Sequence, residues 1–183
     1  SASVGERADN AVAVGNGATV ADDAKNAVAV GNAAKAQEQN AVALGNSADA
    51  AKTDSTALGN GARASEDGGV ALGSASKADR AALPVGADAT DSASAATGTV
   101  YAMPDADAAD VAAISATVKG DKGAVSVGDA GNTRQIINVA AGSEDSDAVN
   151  VAQLKAVAKK ANGTTIHNHS HVTRVTQVVN NTK

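Results

Sequence analysis

Three histidines, His167, His169 and His171, stand at alternate positions in "TTIHNHSHVTRV". On a strand, that spacing puts three imidazoles on one face, as some transition-metal sites do. Nothing acidic or sulfur-bearing accompanies them, so a solvated polar segment is expected there and no metal. The chain has no cysteine, which excludes disulfides, thiolate zinc sites and a cysteine nucleophile. A second set is charged: Lys35, Asp49, Arg63 and Lys77 recur at one constant interval. Singly each reads as part of a solubilising face. As a row, repeated around an assembly, they suit weak multivalent contacts with an extended ligand.

That row exists because the sequence around it repeats. Asn10-Ala-Val-Ala-Val-Gly15, Asn26-Ala-Val-Ala-Val-Gly31, Asn40-Ala-Val-Ala-Leu-Gly45, Ser55-Thr-Ala-Leu-Gly59 and Gly69-Val-Ala-Leu-Gly73 align on their last glycines. The interval between those glycines is constant after a slightly longer first step, and a worn copy at "LPVG" places Gly86 just short of the next one. A fixed short period predicts a solenoid, each copy one unit that cannot bury its own face. Fourteen residues, the usual interval, suit a coil of two short strands and two turns. In the first strand, Val12 and Val14, Val28 and Val30, or Val42 and Leu44 share one face. We expect these branched residues to fill the coil and the alanines opposite to pack against another subunit. Gly15-Asn16 and its equivalents provide residues that tolerate positive φ in a turn. The second strand reads small, variable, small (Ala34-Lys35-Ala36, Ala48-Asp49-Ala50), so its middle position faces water.

Composition agrees that no ordinary core exists. The 183 residues include no Phe and no Trp, and Tyr101 is the only aromatic. With alanine supplying much of the apolar content, little area can be buried per residue. Stacked repeats or subunits that complete one another must do the burying. The net charge of −5, with both signs interspersed, gives no footprint for nucleic acid or an anionic membrane. No apolar run long enough to span a bilayer is present. The N-terminus lacks the pattern of an export signal, and the chain reads as an excised segment.

Beyond the repeats the pattern changes. Residues 87–123 lose the period and become rich in Ala, Asp, Ser and Thr; a surface insertion is expected, with 106–118 as a short helix or strand pair. Val125-Ser-Val127-Gly128 looks like one last coil. After it, Asp145, Ser146 and Asp147 can cap a helix, in which Val151, Leu154, Ala158 and Ala161 fall at 3-4-3 spacing. Asn162-Gly163 ends it. So thin a stripe suits a coiled coil of several chains rather than an isolated helix.

The "NAVAVGN", "NAVALGN", "TALGN" and "GVALGS" copies, followed by "NTRQIINVAAGSEDSDAVNVAQL", resemble the head and neck of the YadA-like trimeric autotransporter adhesins of Gram-negative bacteria. The resemblance covers about residues 10–86 and 124–161. It implies a mainly β fold: a homotrimer of left-handed parallel β-rolls (1–86), an irregular head insert (87–123), a last coil and neck (124–147), a neck helix or coiled coil (148–161) and the start of a stalk (162–183). The neck would tie head to stalk through Arg134, Asp145, Asp147, Asn150 and Leu154, with Arg134 meeting the aspartates between chains. The resemblance also implies surface display through a C-terminal outer-membrane anchor absent from this chain. "VVNNTK" is similar to the V-x-x-N-T element of family stalks, where core asparagines surround a small anion such as chloride, which would give Asn181 that role. The stripe Val172, Val175, Val179 competes, because it would move Asn181 out of the core.

The function so implied is attachment to host extracellular matrix (collagen, fibronectin or laminin) or to host cells, with no enzymatic role, no other cofactor, no nucleic acid and no membrane contact by this segment. An acyltransferase built on a left-handed β-helix would also stack short repeats into trimers. Its repeat is a hexapeptide, however, and the three histidines lie outside the repeats. An ice-binding solenoid needs an outward threonine ladder, whereas the outward positions here are Thr19, Lys35, Asp49, Arg63 and Lys77. A purely structural spacer remains the other alternative.

Overall fold

A computed structural model describes residues 1–85, 87, 89–90, 100–102 and 106–161. It divides into two units, Ser1–Gln135 and Ile136–Lys183.

The first unit is a parallel β-solenoid. After β1 (Ser3–Val4), five coils follow, each with a longer and a shorter strand: β2 (Val12–Val14) and β3 (Thr19–Val20), β4 (Val28–Val30) and β5 (Lys35–Ala36), β6 (Val42–Leu44) and β7 (Asp49–Ala50), β8 (Thr56–Leu58) and β9 (Arg63–Ala64), β10 (Val70–Leu72) and β11 (Lys77–Ala78). A parallel pair, β12 (Ala89–Thr90) and β13 (Val100–Tyr101), and a helix, α1 (Ala108–Ala116), come next. Then β14 (Val125–Ser126) rejoins the stack on β10. The result is two six-stranded parallel sheets, in the orders β1-β3-β5-β7-β9-β11 and β14-β10-β8-β6-β4-β2. The last coil at Val125 is thus found where the sequence predicts it. In the "LPVG" copy, Leu83, Pro84 and Val85 form no strand, and Ala87 N–H donates to Pro84 C=O at 2.9 Å in a turn.

The interior is the reverse of the expected one. Ala27, Ala29, Ala34 and Ala36 are fully buried, as are Ala41, Ala43, Ala48 and Ala50, and then Ala57, Ala62, Ala64 and Ala71. The branched residues point outward: Val14 is 55% exposed, Leu44 43% and Leu72 44%. Space decides this. In the coils of ordinary length the space between the two strands takes methyl and hydroxymethyl groups, however apolar the alternative; the longer first coil admits one valine, Val20, 3% exposed. Where serine replaces alanine inside, its hydroxyl is satisfied locally: Ser55 Oγ donates to Lys52 C=O at 2.6 Å and Ser76 Oγ to Leu72 C=O at 2.8 Å.

The turns keep the coils in step. Gly31 has φ +138°, and a Cβ there would collide with the carbonyl of Gly45 in the next coil, so the close stacking requires glycine. The asparagine after it does not take positive φ as expected; the following residue does, at Gly17, Ala33, Ser47, Gly61 and Ala75. That asparagine side chain instead forms a ladder, Asn60 Nδ2 to Asn46 Oδ1 and Asn46 Nδ2 to Asn32 Oδ1, both 3.2 Å. The opposite turn carries a second ladder: Asn10 donates to Asn26 (3.3 Å), Asn26 to Asn40 (3.2 Å) and Asn40 to Asp54 (2.9 Å). All four of these residues have φ of 58–59°, a region Asn and Asp tolerate better than most.

The second unit is helical at residues 151–161 (α2). Asn150, rather than Asp145–Asp147, caps it. Its Oδ1 accepts from Gln153 N–H and its own N–H donates to Gln153 Oε1, both at 3.2 Å, a reciprocal capping box.

Because Ala43 is fully buried inside the coil and Lys35 lies outside it, Ala43→Val should cost about 1–3 kcal/mol, and Lys35→Ala no more than about 0.5 kcal/mol. Denaturant unfolding of the two variants checks this; equal effects would contradict the alanine core.

Candidate functional site

Outside the roll, each sheet shows a different surface. On the sheet that holds β2 to β14, the pairings put Val12, Val28, Val42, Thr56, Val70 and Val125 in one column and Val14, Val30, Leu44, Leu58 and Leu72 in another. All are exposed or half-buried. Two columns of side chains along one face, aliphatic at every place but Thr56, are more than scattered exposed apolar residues, and a patch of this kind marks an association surface. Sequence reasoning missed it by assigning these side chains to the interior.

The other sheet carries the charges. Lys35, Asp49, Arg63 and Lys77 are neighbours in successive strands, so the predicted row is a real ladder. Its members are largely paired. Arg63 meets Asp49 at 3.0 Å and Lys77 meets Asp129 at 2.6 Å. Gln37 also donates to Asp49. Lys35 has no ion-pair partner among the described residues. Asp129 comes from the turn after β14, on the far side of the insertion from Lys77, so no local pattern announces the pair. Their contact holds the Asp129 carboxyl below the usual carboxylate range and raises the Lys77 ammonium.

Arg134 closes the end of the roll. Its Nη1 donates to Val127 C=O at 2.6 Å and to Ser76 Oγ at 3.1 Å, and its Nη2 to Ser74 C=O at 2.6 Å. Gly73 makes room, since a Cβ there would lie 3.2 Å from the guanidinium carbon. The planar fork thereby ties the turn of the fifth coil to that of the last.

In the second unit, Asp147 closes its own loop by accepting from the N–H groups of Ser143 (2.9 Å) and Glu144 (3.1 Å), which hold its carboxyl below the ordinary range. Asn150 Nδ2 donates to Val139 C=O at 3.2 Å, and Gln153 Nε2 to Gly142 C=O at 3.0 Å. Gln153, not singled out from sequence, is therefore the hub of this unit; its N-x-x-Q spacing from Asn150 is the signal that could have found it. Asp145 makes no such bond among the described residues. Leu154 and Val151 are exposed, as are Val157, Ile136 and Ile137.

The model of the YadA head domain repeat matches residues 23–48 and 50–76, and that of the coiled stalk of trimeric autotransporter adhesin matches 135–181. The chain belongs to the YadA-like trimeric autotransporter adhesins. It is 64% identical over 59 residues to the trimeric autotransporter adhesin AtaA of Acinetobacter sp. (strain Tol 5), covering 31% of this chain and 2% of AtaA. To the autotransporter adhesin BadA of Bartonella henselae it is 71% identical over 41 residues, covering 21% of this chain and 1% of BadA. It thus spans a very small part of the length of these adhesins. Among solved structures, the C-terminal YadA-like domain of a Burkholderia pseudomallei protein aligns with 70% of this chain and 54% of its own at 28% identity and a TM-score of 0.43.

Within this YadA-like chain, no group of metal-binding side chains and no helix long and apolar enough to cross a membrane occurs among the described residues. His167, His169, His171 and Asn181 lie outside them.

Two outcomes follow from the bonding just described. Arg134→Ala should lower stability by about 1–3 kcal/mol, as expected for a charged donor serving three acceptors, and Arg134→Lys should not restore it. Thermal melting checks both; an unchanged melting temperature for Arg134→Ala would make Arg134 a solvated loop residue instead. The second concerns pH. Arg7 holds Asp23 low, Asn40 and then Lys122 hold Asp54 low, and Asp129 and Asp147 are low as described. A carboxylate depressed in the folded state stabilises it above the unfolded pKa of about 3.9, and that stability is lost as pH falls through the folded value. Melting temperature should therefore be flat between about pH 7 and 5 and decline below about 4; a rise on acidification would contradict these assignments.

Proposed function

We propose that the chain forms a homotrimer whose aliphatic columns face the threefold axis, displaying the charged sheets outward as a rigid attachment surface on a Gram-negative cell. The observation that carries this is the pair of in-register apolar columns on one sheet, set against a charged ladder on the other. Such columns destabilise an isolated roll and stabilise an assembly that covers them. The exposed aliphatics of the second unit, Val151, Leu154 and Val157 among them, have the character of a coiled-coil seam that three chains close together. The relatives are adhesins, which supports a binding role without catalysis. Display would be through an outer-membrane anchor, and the partner would be host matrix (collagen, fibronectin or laminin) or a host cell surface.

A second reading, a spacer that only holds other binding parts away from the cell, is favoured by one observation. Arg63 and Lys77 already have carboxylate partners within the chain, so the ladder offers a ligand few free charges.

Sedimentation equilibrium at micromolar concentration should give a trimer, and a monomer would overturn the assembly. The same material is then tested against immobilised collagens, fibronectin and laminin, beside the Lys35→Ala, Arg63→Ala, Lys77→Ala variant. Weaker, less salt-dependent binding by a trimeric variant supports ladder recognition. A trimer that binds none of these proteins supports the spacer.

A further inference from the structure

Two turns of the roll carry the same stretch, Gly15-Asn16-Gly17-Ala18 and Gly59-Asn60-Gly61-Ala62. Asn-Gly is a chemically labile pair. The main-chain nitrogen of the glycine, once it has lost its proton, can attack the side-chain carbonyl carbon of the asparagine, and glycine has no Cβ to obstruct the approach. At this turn the other coils have Asn32-Ala33, Asn46-Ser47 and Ser74-Ala75 instead. A further Asn-Gly, Asn162-Gly163, lies outside the described residues.

Local geometry does not separate the two pairs. Gly17 and Gly61 take φ of 68° and 62°, and Asn16, Gly17, Asn60 and Gly61 are all exposed. Their places in the stack do separate them. Gly61 N–H donates to Asn46 C=O at 2.8 Å, and Asn60 Nδ2 donates to Asn46 Oδ1 at 3.2 Å. One group of Asn46 thus occupies the nucleophile and another holds the amide it would attack. Asn60 C=O in turn accepts from Ala75 N–H at 2.8 Å, so the peptide that would have to move is fixed from both sides. For Asn60 to react, its turn must first leave the stack.

The first coil has only part of this restraint. Asn16 C=O accepts from Ala33 N–H at 2.8 Å, but Gly17 N–H has no acceptor among the described residues. The side-chain ladder from Asn60 through Asn46 ends on Asn32 and does not continue to Asn16. Asn16 Oδ1 accepts from the Ser1 amino group at 3.4 Å, which leaves the amide nitrogen without a partner among the described residues.

We infer that Asn16 is a site of spontaneous deamidation in the folded roll, and that Asn60 is an equivalent site kept closed by the stacking of the coils. A bond forms from Gly17 N to Asn16 Cγ, the Cγ–Nδ2 bond breaks, and the nitrogen leaves as ammonia with the proton that the glycine gave up. Water then opens the cyclic imide at either carbonyl, giving aspartate or isoaspartate and a new negative charge. At Asn60 the same conversion would remove the donor of the ladder and set a carboxylate against Asn46 Oδ1. Isoaspartate would also lengthen a turn in which Gly59 packs directly on the main chain of Gly73.

The test incubates the full chain at neutral pH and body temperature, folded and in concentrated urea, and reads each asparagine by peptide mapping with mass spectrometry. In the folded chain Asn60 should convert at least about tenfold more slowly than Asn16, the factor set by a local opening cost of about 1.4 kcal/mol. In urea the stack is gone from both, and the identical surrounding residues should bring the two rates within about twofold of each other. Gly17→Ala supplies the second measurement. Ala33 takes φ 54° at the same place in the next coil, so the turn accepts alanine, and conversion at Asn16 should slow severalfold. Equal rates at Asn16 and Asn60 in the folded chain, no conversion at Asn16, or a difference that persists in urea would each overturn the inference. An unchanged rate at Asn16 in Gly17→Ala would overturn it as well, since the glycine nitrogen would then not be the attacking group.

Discussion

Coils of the ordinary length stack in register with methyl and hydroxymethyl groups pointing inward, and the longer first coil takes in one valine, Val20. That narrow interior sets the rest of the molecule. It puts Ala29, Ala43, Ala57 and Ala71 on the inner face of the longer strands and Ala36, Ala50 and Ala64 on that of the shorter ones. Each inward methyl contributes little, on the order of 0.8 kcal/mol per buried carbon, so the roll relies more than most folds on saturated hydrogen bonding between coils. Main-chain bonds such as Val28 N–H to Ala41 C=O and Lys35 N–H to Ala48 C=O, with the two asparagine ladders at the turns, provide it. It also expels the larger aliphatic residues of the ordinary coils to the outside. The surface that calls for a partner is therefore a consequence of the narrow interior.

The period, the turn glycines and the return of the stack at Val125 were legible in the sequence, because each depends on local residue types recurring at fixed distances; for 106–118 the sequence left a helix and a strand pair open. Which face of the strand is inside was not. Alternation shows that two faces differ, and the preference for burying branched residues then chose the wrong one, since it takes no account of volume. The second strand held the corrective: with Lys35 outside, Ala34 and Ala36 must point inward, and a shared interior lined by alanine on one side has no depth for valine on the other. The start of α2 was displaced for a related reason. Asp145 and Asp147 have good capping chemistry, but Asp147 is already committed to Ser143 and Glu144, and Asn150 with Gln153 takes the role.

What the ladder can offer a ligand was also beyond the sequence. Lys35, Asp49, Arg63 and Lys77 are recognisable as a row from their spacing, yet their availability depends on partners from elsewhere. Asp129 reaches Lys77 from beyond the insertion, and Lys122 reaches Asp54 from its returning end. Exposed pairs of this kind are worth about 0–1 kcal/mol each. Their larger effect is on recognition, because a ligand must compete with an internal carboxylate for Arg63 and Lys77 but not, among the described residues, for Lys35.

The two turns of the coil differ in how much sequence they tolerate, and this explains where variation enters. The turn opened by Gly15, Gly31, Gly45 and Gly59 keeps one length throughout, since glycine backbone packs directly on glycine backbone in the next coil. The opposite turn does not. Between the first two coils it is longer, the extra chain being absorbed by a bidentate Arg7 to Asp23 contact at 2.7 Å and by Glu6 N–H on Asp22. Between the fifth coil and the last, that same turn admits residues 81–121 and still makes its closing bond from Ala124 to Arg80. One turn fixes the stacking and the other is free to lengthen, so additions to this roll enter at that turn while the column through Val70 continues onto Val125 of β14.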